Sequence, residues 1–198
     1  MNVAGGALAT PSRWGDFDND GKIDVYVSSY IDPTNERDFL FHNDGARFTD
    51  VIPENILKRG ATHGIQWVDF DKDGDLDFSI ANNNPNGTHS LYRNLLPPER
   101  ARQSVQVLVQ DANGRATKAG AEVRVYLTGT RKLLGAGIVD TGGGYASQNI
   151  APVHVGLGTD AAVDVEITTL TKAGRKLMTL SKLTPDRILG RIAIVKTQ

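Results

Sequence analysis

Cysteine is absent from all 198 residues, which excludes disulfides and thiolate metal sites. No apolar run approaches the roughly 20 residues a membrane-spanning helix needs. The N-terminus carries neither the basic nor the apolar stretch of a signal peptide. Sustained helical periodicity is missing too, so the chain reads as all-β. Lysine and arginine are scattered, apart from Arg131-Lys132 and Arg175-Lys176, and form no concentrated patch for nucleic acid. Catalytic signatures are equally lacking. The run Gly142-Gly143-Gly144 is followed by no Lys-Ser/Thr pair, and Gly135-Ala136-Gly137 has no third glycine, so both read as turns. Ser147 does not sit in Gly-x-Ser-x-Gly, and His42, His63, His89 and His154 lack zinc-protease spacing. His154 reads as a hydrogen-bonded structural histidine, and the chain is expected not to be an enzyme.

Charge divides the chain. Residues 1–98 hold 15 Asp and Glu against 8 Lys and Arg, a net of −7, whereas residues 99–198 hold 8 against 14, a net of +6. Two domains are expected, 1–98 and 99–198, with the break at Pro97-Pro98. Met1 stands almost directly before repeat-like sequence, which suggests a piece of a longer protein with any export signal upstream.

The acidity of the first half is concentrated in two loops. One reads Asp16-Phe-Asp18-Asn-Asp20-Gly21-Lys22-Ile23-Asp24, the other Asp69-Phe-Asp71-Lys-Asp73-Gly74-Asp75-Leu76-Asp77. Carboxylates at loop positions 1, 3, 5 and 9 and glycine at 6 follow the spacing that wraps oxygens around one hard cation, calcium above all. Position 7, Lys22 or Asp75, is expected to contribute its backbone carbonyl. The metal set is thus Asp16, Asp18, Asp20, Lys22 and Asp24 for one Ca2+, and Asp69, Asp71, Asp73, Asp75 and Asp77 for a second, in two independent loops. Without an ion such loops crowd like charges, so metal is expected to help them fold. An EF-hand would need Glu at position 12, where Val27 and Ile80 stand. The alternation Ile23, Val25, Val27 and Leu76, Phe78, Ile80 marks strands instead.

The register extends beyond the loops. Trp14 and Trp67 each precede the first Asp by two residues, and Leu40-Phe-His-Asn43 recurs as Leu91-Tyr-Arg-Asn94. A repeat of about fifty residues with several strands per unit is a propeller-blade pattern. Trp14, Trp67, Phe17 and Phe70 read as blade core. Asp32-Pro-Thr-Asn35 and Asn43-Asp-Gly45 read as turns, and Asn86-Gly-Thr88 fits a glycosylation sequon that its turn composition explains as well. The motif from Trp14 to Val27 resembles the blade of FG-GAP or VCBS repeats, the calcium-loop repeats of integrin-type β-propellers, over about residues 1–96.

Beyond the prolines the pattern stays β. Val105, Val107 and Val109 alternate, Asn113-Gly114 is a turn signal, and Val123, Val125 and Leu127 alternate again. Further strands are expected near 133–139, 163–168, 175–180 and 187–195, giving a sandwich or barrel. Gly120-Ala-Glu-Val-Arg-Val125, the segment Gly142 to Gln148, His154-Val-Gly-Leu-Gly158 and Ala162 to Ile167 together resemble an ASPIC/UnbV domain. In proteins similar to the cartilage acidic protein family, that domain follows FG-GAP-like repeats. Thr168 to Gly174 departs from the Trp-Pro-x-Gly turn usual in that family.

The resemblance implies a non-enzymatic, extracellular, cell-surface or periplasmic module with structural calcium and a protein or glycan ligand. The alternative is an accessory, carbohydrate-binding piece of a larger secreted enzyme. Two blades do not close a propeller, so self-association through open blade edges is expected.

Overall fold

A computed structural model describes residues 9–29, 37–56, 62–82, 89–142, 148–185 and 192–197. The Asp32–Asn35 turn, the Asn86–Thr88 sequon, Ser147 and the middle of the Gly142–Gln148 motif lie outside the described residues.

The fold is all-β, in four sheets, none closed. Strands β1 (Ala9–Gly15), β2 (Asp24–Ser29), β3 (Phe39–Asn43) and β4 (Phe48–Asp50) form an antiparallel blade in sequence order. Strands β5 (Thr62–Val68), β6 (Asp77–Asn82) and β7 (His89–Tyr92) form a second, three-stranded blade. Each metal loop joins the first strand of its blade to the second. The turn at Asn43-Asp44-Gly45 is as expected, with Gly45 in the left-handed region at φ 91°. A single helical turn, α1 (Pro98–Ala101), leads out of the blades. Pro98 opens this turn rather than breaking it, because the first helical position needs no N–H.

The second half is a sandwich, not a barrel. One sheet has the order β10 (Leu133–Ile138), β9 (Glu122–Leu127), β12 (Val163–Thr171), β13 (Gly174–Leu183); the other has β11 (Val153–Gly156), β8 (Ser104–Gln110), β14 (Ile192–Lys196). Strand β14 runs parallel to β8, and every other pairing is antiparallel. Val105, Val107 and Val109 face Val123, Val125, Val163, Val165 and Ile167 across a closed apolar core. Gly135 and Gly137 lie within β10, the strand expected near 133–139, and not in a turn. A Cβ at either would stand 2.5 Å from a methyl of Val155 or Val153, so their bareness lets β10 lie against β11.

The blades share one core. Tyr26 and Leu40 of the first meet Ile65, Trp67, Leu76, Phe78 and Ile80 of the second. Phe78 is ringed by aromatics, with centroids at 5.4 Å from Tyr26, 5.1 Å from Trp67 and 5.0 Å from Tyr92. Trp67 is 6% exposed, its indole lying over Gly15 and its Nε1–H donating to the Arg13 carbonyl at 3.2 Å. Trp14, expected in the core, is 59% exposed, and Phe70 is 43% exposed. Trp67 gains its burial from the blade before it; among the described residues no blade covers Trp14 in the same way. Phe17 packs on the margin of the shared core.

The two tryptophans should therefore behave differently on truncation. Trp67→Ala is expected to cost about 3–5 kcal/mol of unfolding free energy and Trp14→Ala no more than about 1 kcal/mol, compared by urea denaturation of dilute protein. Equal losses would contradict the packing.

Candidate metal centre

Both loops fold by one hydrogen-bond scheme. In the first, Asp16 accepts from the backbone N–H of Asp20 at 3.1 Å and of Gly21 at 2.9 Å. In the second, Asp69 accepts from Asp73 at 3.2 Å and Gly74 at 3.0 Å. Asp24 accepts from Phe17 and Asn43, Asp77 from Phe70 and Asn94, so position 9 ties loop to blade in both. Residues 4 and 6 of each loop take positive φ: Asn19 at 56° and Gly21 at 87°, Lys72 at 63° and Gly74 at 103°. Glycine removes the steric cost at position 6.

This scheme gathers position 1, 3 and 9 carboxylates. Asp16, Asp18 and Asp24 each place a ligand-type oxygen within 4.8 Å of the others, as do Asp69, Asp71 and Asp77. Positions 5 and 7 stand apart from these groups. Asp20 pairs with the Lys22 ammonium and gathers with Asp18 and His42, while Asp73 lies 3.3 Å from Arg93. The Asp75 side chain turns to the linker, accepting from the Leu96 N–H at 3.1 Å.

Burial makes these clusters expensive without a cation. Desolvation pushes Asp16 up to about 7 and Asp24 and Asp77 to about 6, and raises Asp69 as well. Asp75, also buried, is pushed up to about 7. An all-oxygen set of desolvated carboxylates suits a hard divalent ion, which would supply the missing charge. The donor chemistry therefore fits calcium.

Side chains outside the loops complete both sites. His42 Nε2 lies 3.2 Å from Asp18 Oδ2, and Arg93 Nε lies 2.6 Å from Asp71 Oδ2. Asn43 and Asn94 donate side-chain N–H groups to the Ile23 and Leu76 carbonyls. These four residues are the His-Asn and Arg-Asn ends of the recurring Leu-Phe-His-Asn and Leu-Tyr-Arg-Asn segments, a repetition visible in the sequence without its task. The loops, expected to be independent, are joined by hydrogen bonds. Asn19 Nδ2 donates to the Gly74 carbonyl at 3.0 Å, and Asn94 Nδ2 to the Phe17 carbonyl at 2.7 Å.

The sandwich seals the arrangement. Strands β8 and β11 pair His154 with Gln106 and Gly156 with Ser104. Their valines point into the sandwich core, so alternation turns these polar residues toward the loops. Gln106 Nε2 donates to Asp69 Oδ2 at 2.5 Å, and Ser104 Oγ to the Gly74 carbonyl at 2.6 Å. His154 Nε2 meets Asn19 Oδ1 at 2.9 Å, and the Gly158 N–H donates to the Asn19 carbonyl at 3.0 Å. Burial lowers His154 to about 4, so its imidazole is neutral at pH 7 and Nε2 carries the donated proton. A Cβ on Gly156 would overlap Asp16 Oδ2 and the Asn19 Cα. The His-x-Gly-x-Gly motif is thus a seat for the first loop. His154 is hydrogen-bonded, as expected.

Comparison with known families agrees with this architecture. Residues 16–80 match the family model described as FG-GAP-like repeat, and residues 111–188 match the one described as ASPIC and UnbV. The chain is an FG-GAP-like repeat segment followed by an ASPIC/UnbV domain, a β-rich combination of extracellular type. No curated protein matches it. Among the described residues no helix is long and apolar enough to cross a membrane.

Two outcomes follow from this geometry. Carboxylates whose folded pKa is raised bind protons on folding between about pH 4 and 7, so ion-free protein gains stability as pH falls through that window. His154 acts in the opposite sense but is one group against several. Chelator-treated protein is expected to be more stable at pH 5 than at pH 7.5 by on the order of 3 kcal/mol, with the gain abolished by saturating calcium; a melt showing the reverse slope without calcium would contradict the burial. Separately, Gly156→Ala is expected to weaken ion binding at the first loop about tenfold or more while the second loop changes less, read by calorimetry.

Proposed function

We propose that the chain is a non-enzymatic, calcium-stabilised module for adhesion or ligand binding, working outside the cell, at its surface or in the periplasm. The observation that carries this reading is the duplicated loop, in which the same three positions converge and the same asparagine anchors the ninth. One ion would be held by Asp16, Asp18 and Asp24, with Asp20 and the Lys22 carbonyl completing the shell; the other by Asp69, Asp71 and Asp77, with Asp73 and the Asp75 carbonyl. Their role is structural. The ions neutralise the buried carboxylates that join both blades to the sandwich, and ligation accounts for the spacing of the loop carboxylates without a catalytic role, which supports a binding module.

A ligand has a place to bind. Between the blades, at their loop end, lies a cleft of about 550 Å³ with Phe17, Leu40 and Phe78 in its wall and His42, Arg93 and Asp18 at its polar side. Apolar walls with a few directed polar groups suit a protein or glycan segment. The ions would hold that rim in shape.

Calorimetric titration of chelator-treated protein tests the reading. Two calcium sites are expected, with a rise in melting temperature on loading. No binding at about 1 mM calcium would overturn it. Because the loops share hydrogen bonds, Asp18→Ala is expected to abolish one site and weaken the other about fivefold. An unaltered second site would show the loops to be uncoupled.

A further inference from the structure

The two blades differ at the residue that faces loop positions 3 and 5. In the second blade it is Arg93, whose Nε lies 2.6 Å from Asp71 and whose Nη2 lies 3.3 Å from Asp73. A fixed guanidinium spans both carboxylates. In the first blade the same place in the recurring segment carries His42, which gathers with Asp18 and Asp20. An imidazole presents one nitrogen where the guanidinium presents two.

That nitrogen is close to both carboxylates and bonded to neither. His42 Nε2 lies 3.2 Å from Asp18 Oδ2 and 3.9 Å from Asp20 Oδ2, yet it is buried and has no hydrogen-bond partner. The spacing is that of donors around one ion: two ligands each about 2.1 Å from a tetrahedral zinc stand about 3.4 Å apart. The carboxylates are oriented for the same task. Asp18 and Asp20 each commit Oδ1 to the loop, accepting from the Asp20 N–H at 3.3 Å and the Lys22 N–H at 2.8 Å, so that Oδ2 of each is left toward the imidazole. Phe17 holds the ring edge-on, with centroids 6.0 Å apart. Two cations stand nearby, the Lys22 ammonium paired with Asp20 and Arg100 at 3.9 Å from Asp18. An entering ion displaces the ammonium, whose side chain is 40% exposed and can swing into water.

We infer that His42 Nε2, Asp18 Oδ2 and Asp20 Oδ2 form a site for a transition-metal ion of the zinc class, present in the first blade and replaced by Arg93 in the second. One imidazole nitrogen among the donors suits zinc or nickel, whereas calcium takes oxygen ligands. Three protein donors leave the fourth tetrahedral position to water. The ion is distinct from the calcium proposed above, and the inference does not rest on that reading. Asp18 belongs to both carboxylate groups, so the two ions contend for it.

Histidine ring resonances of the full chain, followed by NMR while zinc is titrated into chelator-treated protein, test this. The first zinc bound is expected to shift the ring of His42 and to leave those of His63, His89 and His154 in place. His42→Arg identifies the resonance and copies the second blade, so its loop keeps a cation against the carboxylates. Calorimetry of that variant is expected to show zinc affinity at this site lowered at least about a hundredfold, since a direct ligand counts for no less than the outer-shell groups whose loss costs up to that much. An unmoved His42 ring, or a tightest zinc site that survives in His42→Arg, would overturn the assignment. Where calorimetry shows calcium on the first loop, that calcium is expected to weaken zinc about tenfold or more through Asp18; zinc indifferent to it would remove Asp18 from the site and overturn the assignment as well. The first arm contains no calcium, so failure of the calcium reading and failure of this one are told apart.

Discussion

Two carboxylates carry the architecture. Asp16 and Asp69 open the two acidic loops, fold them by accepting backbone N–H groups, and are then pressed against the polar side of the β8–β11 pair. Their desolvation is a cost they share with Asp24, Asp75 and Asp77; neutral donors such as Gln106 meet it in part, and a cation would meet the rest. The sandwich can offer that polar side because β8 and β11 alternate. Valines at 105, 107, 153 and 155 fill the sandwich core, while Ser104, Gln106, His154 and Gly156 face the loops. One strand pair is thus wall to a hydrophobic core and floor to a charged site. The opposite net charges of the two halves meet across that floor through hydrogen bonds and close backbone approach rather than through a field of ion pairs; Arg100 stands 3.9 Å from Asp18, and Arg13 pairs with Asp140 at 3.1 Å.

Repetition explains the blades and also their asymmetry. The same motif, Trp two residues before Asp, produces a buried residue at 67 and an exposed one at 14. Local sequence places each indole on the same side of its sheet; what that side meets depends on which blade lies beside it. Asn43 and Asn94, by contrast, keep the same task in both blades, because their partners lie within the blade itself. A feature satisfied inside one repeat copies faithfully, and a feature satisfied between repeats does not.

This distinction also marks how much was legible in the sequence. The strands following each loop, the hairpin at Asn43-Asp44-Gly45, the valine alternation in β8 and β9, and the convergence of Asp16, Asp18 and Asp24 all rest on spacing within a short segment, which periodicity reports directly. The parallel pairing of β14 with β8, the exposure of Trp14 and Phe70, and the outward turn of Asp73 toward Arg93 depend on residues far apart in the chain. Ser104 and Gln106 were unremarkable as the polar partners of an alternating strand; only docking of the blades buries them. Asn19 stands at loop position 4, which is no ligand position, yet it is fully buried and reaches Gly74, Arg100, Ala101 and His154. Its four-way role has no signature in the loop motif, since the other loop carries Lys72 at that position.

Ion, loops and β8–β11 floor are expected to act as one cooperative unit. Amide hydrogen exchange in calcium and in chelator measures it most directly, because Gly158 donates to Asn19 and Leu157 to Gln103 at the seam between blades and sandwich. Calcium is expected to slow exchange at Gly21 and Gly74 in the loops and at Leu157 and Gly158 in the floor together. Protection of the loops with no change at Leu157 and Gly158 would contradict it, placing the ions in two autonomous turns and the sandwich outside their reach.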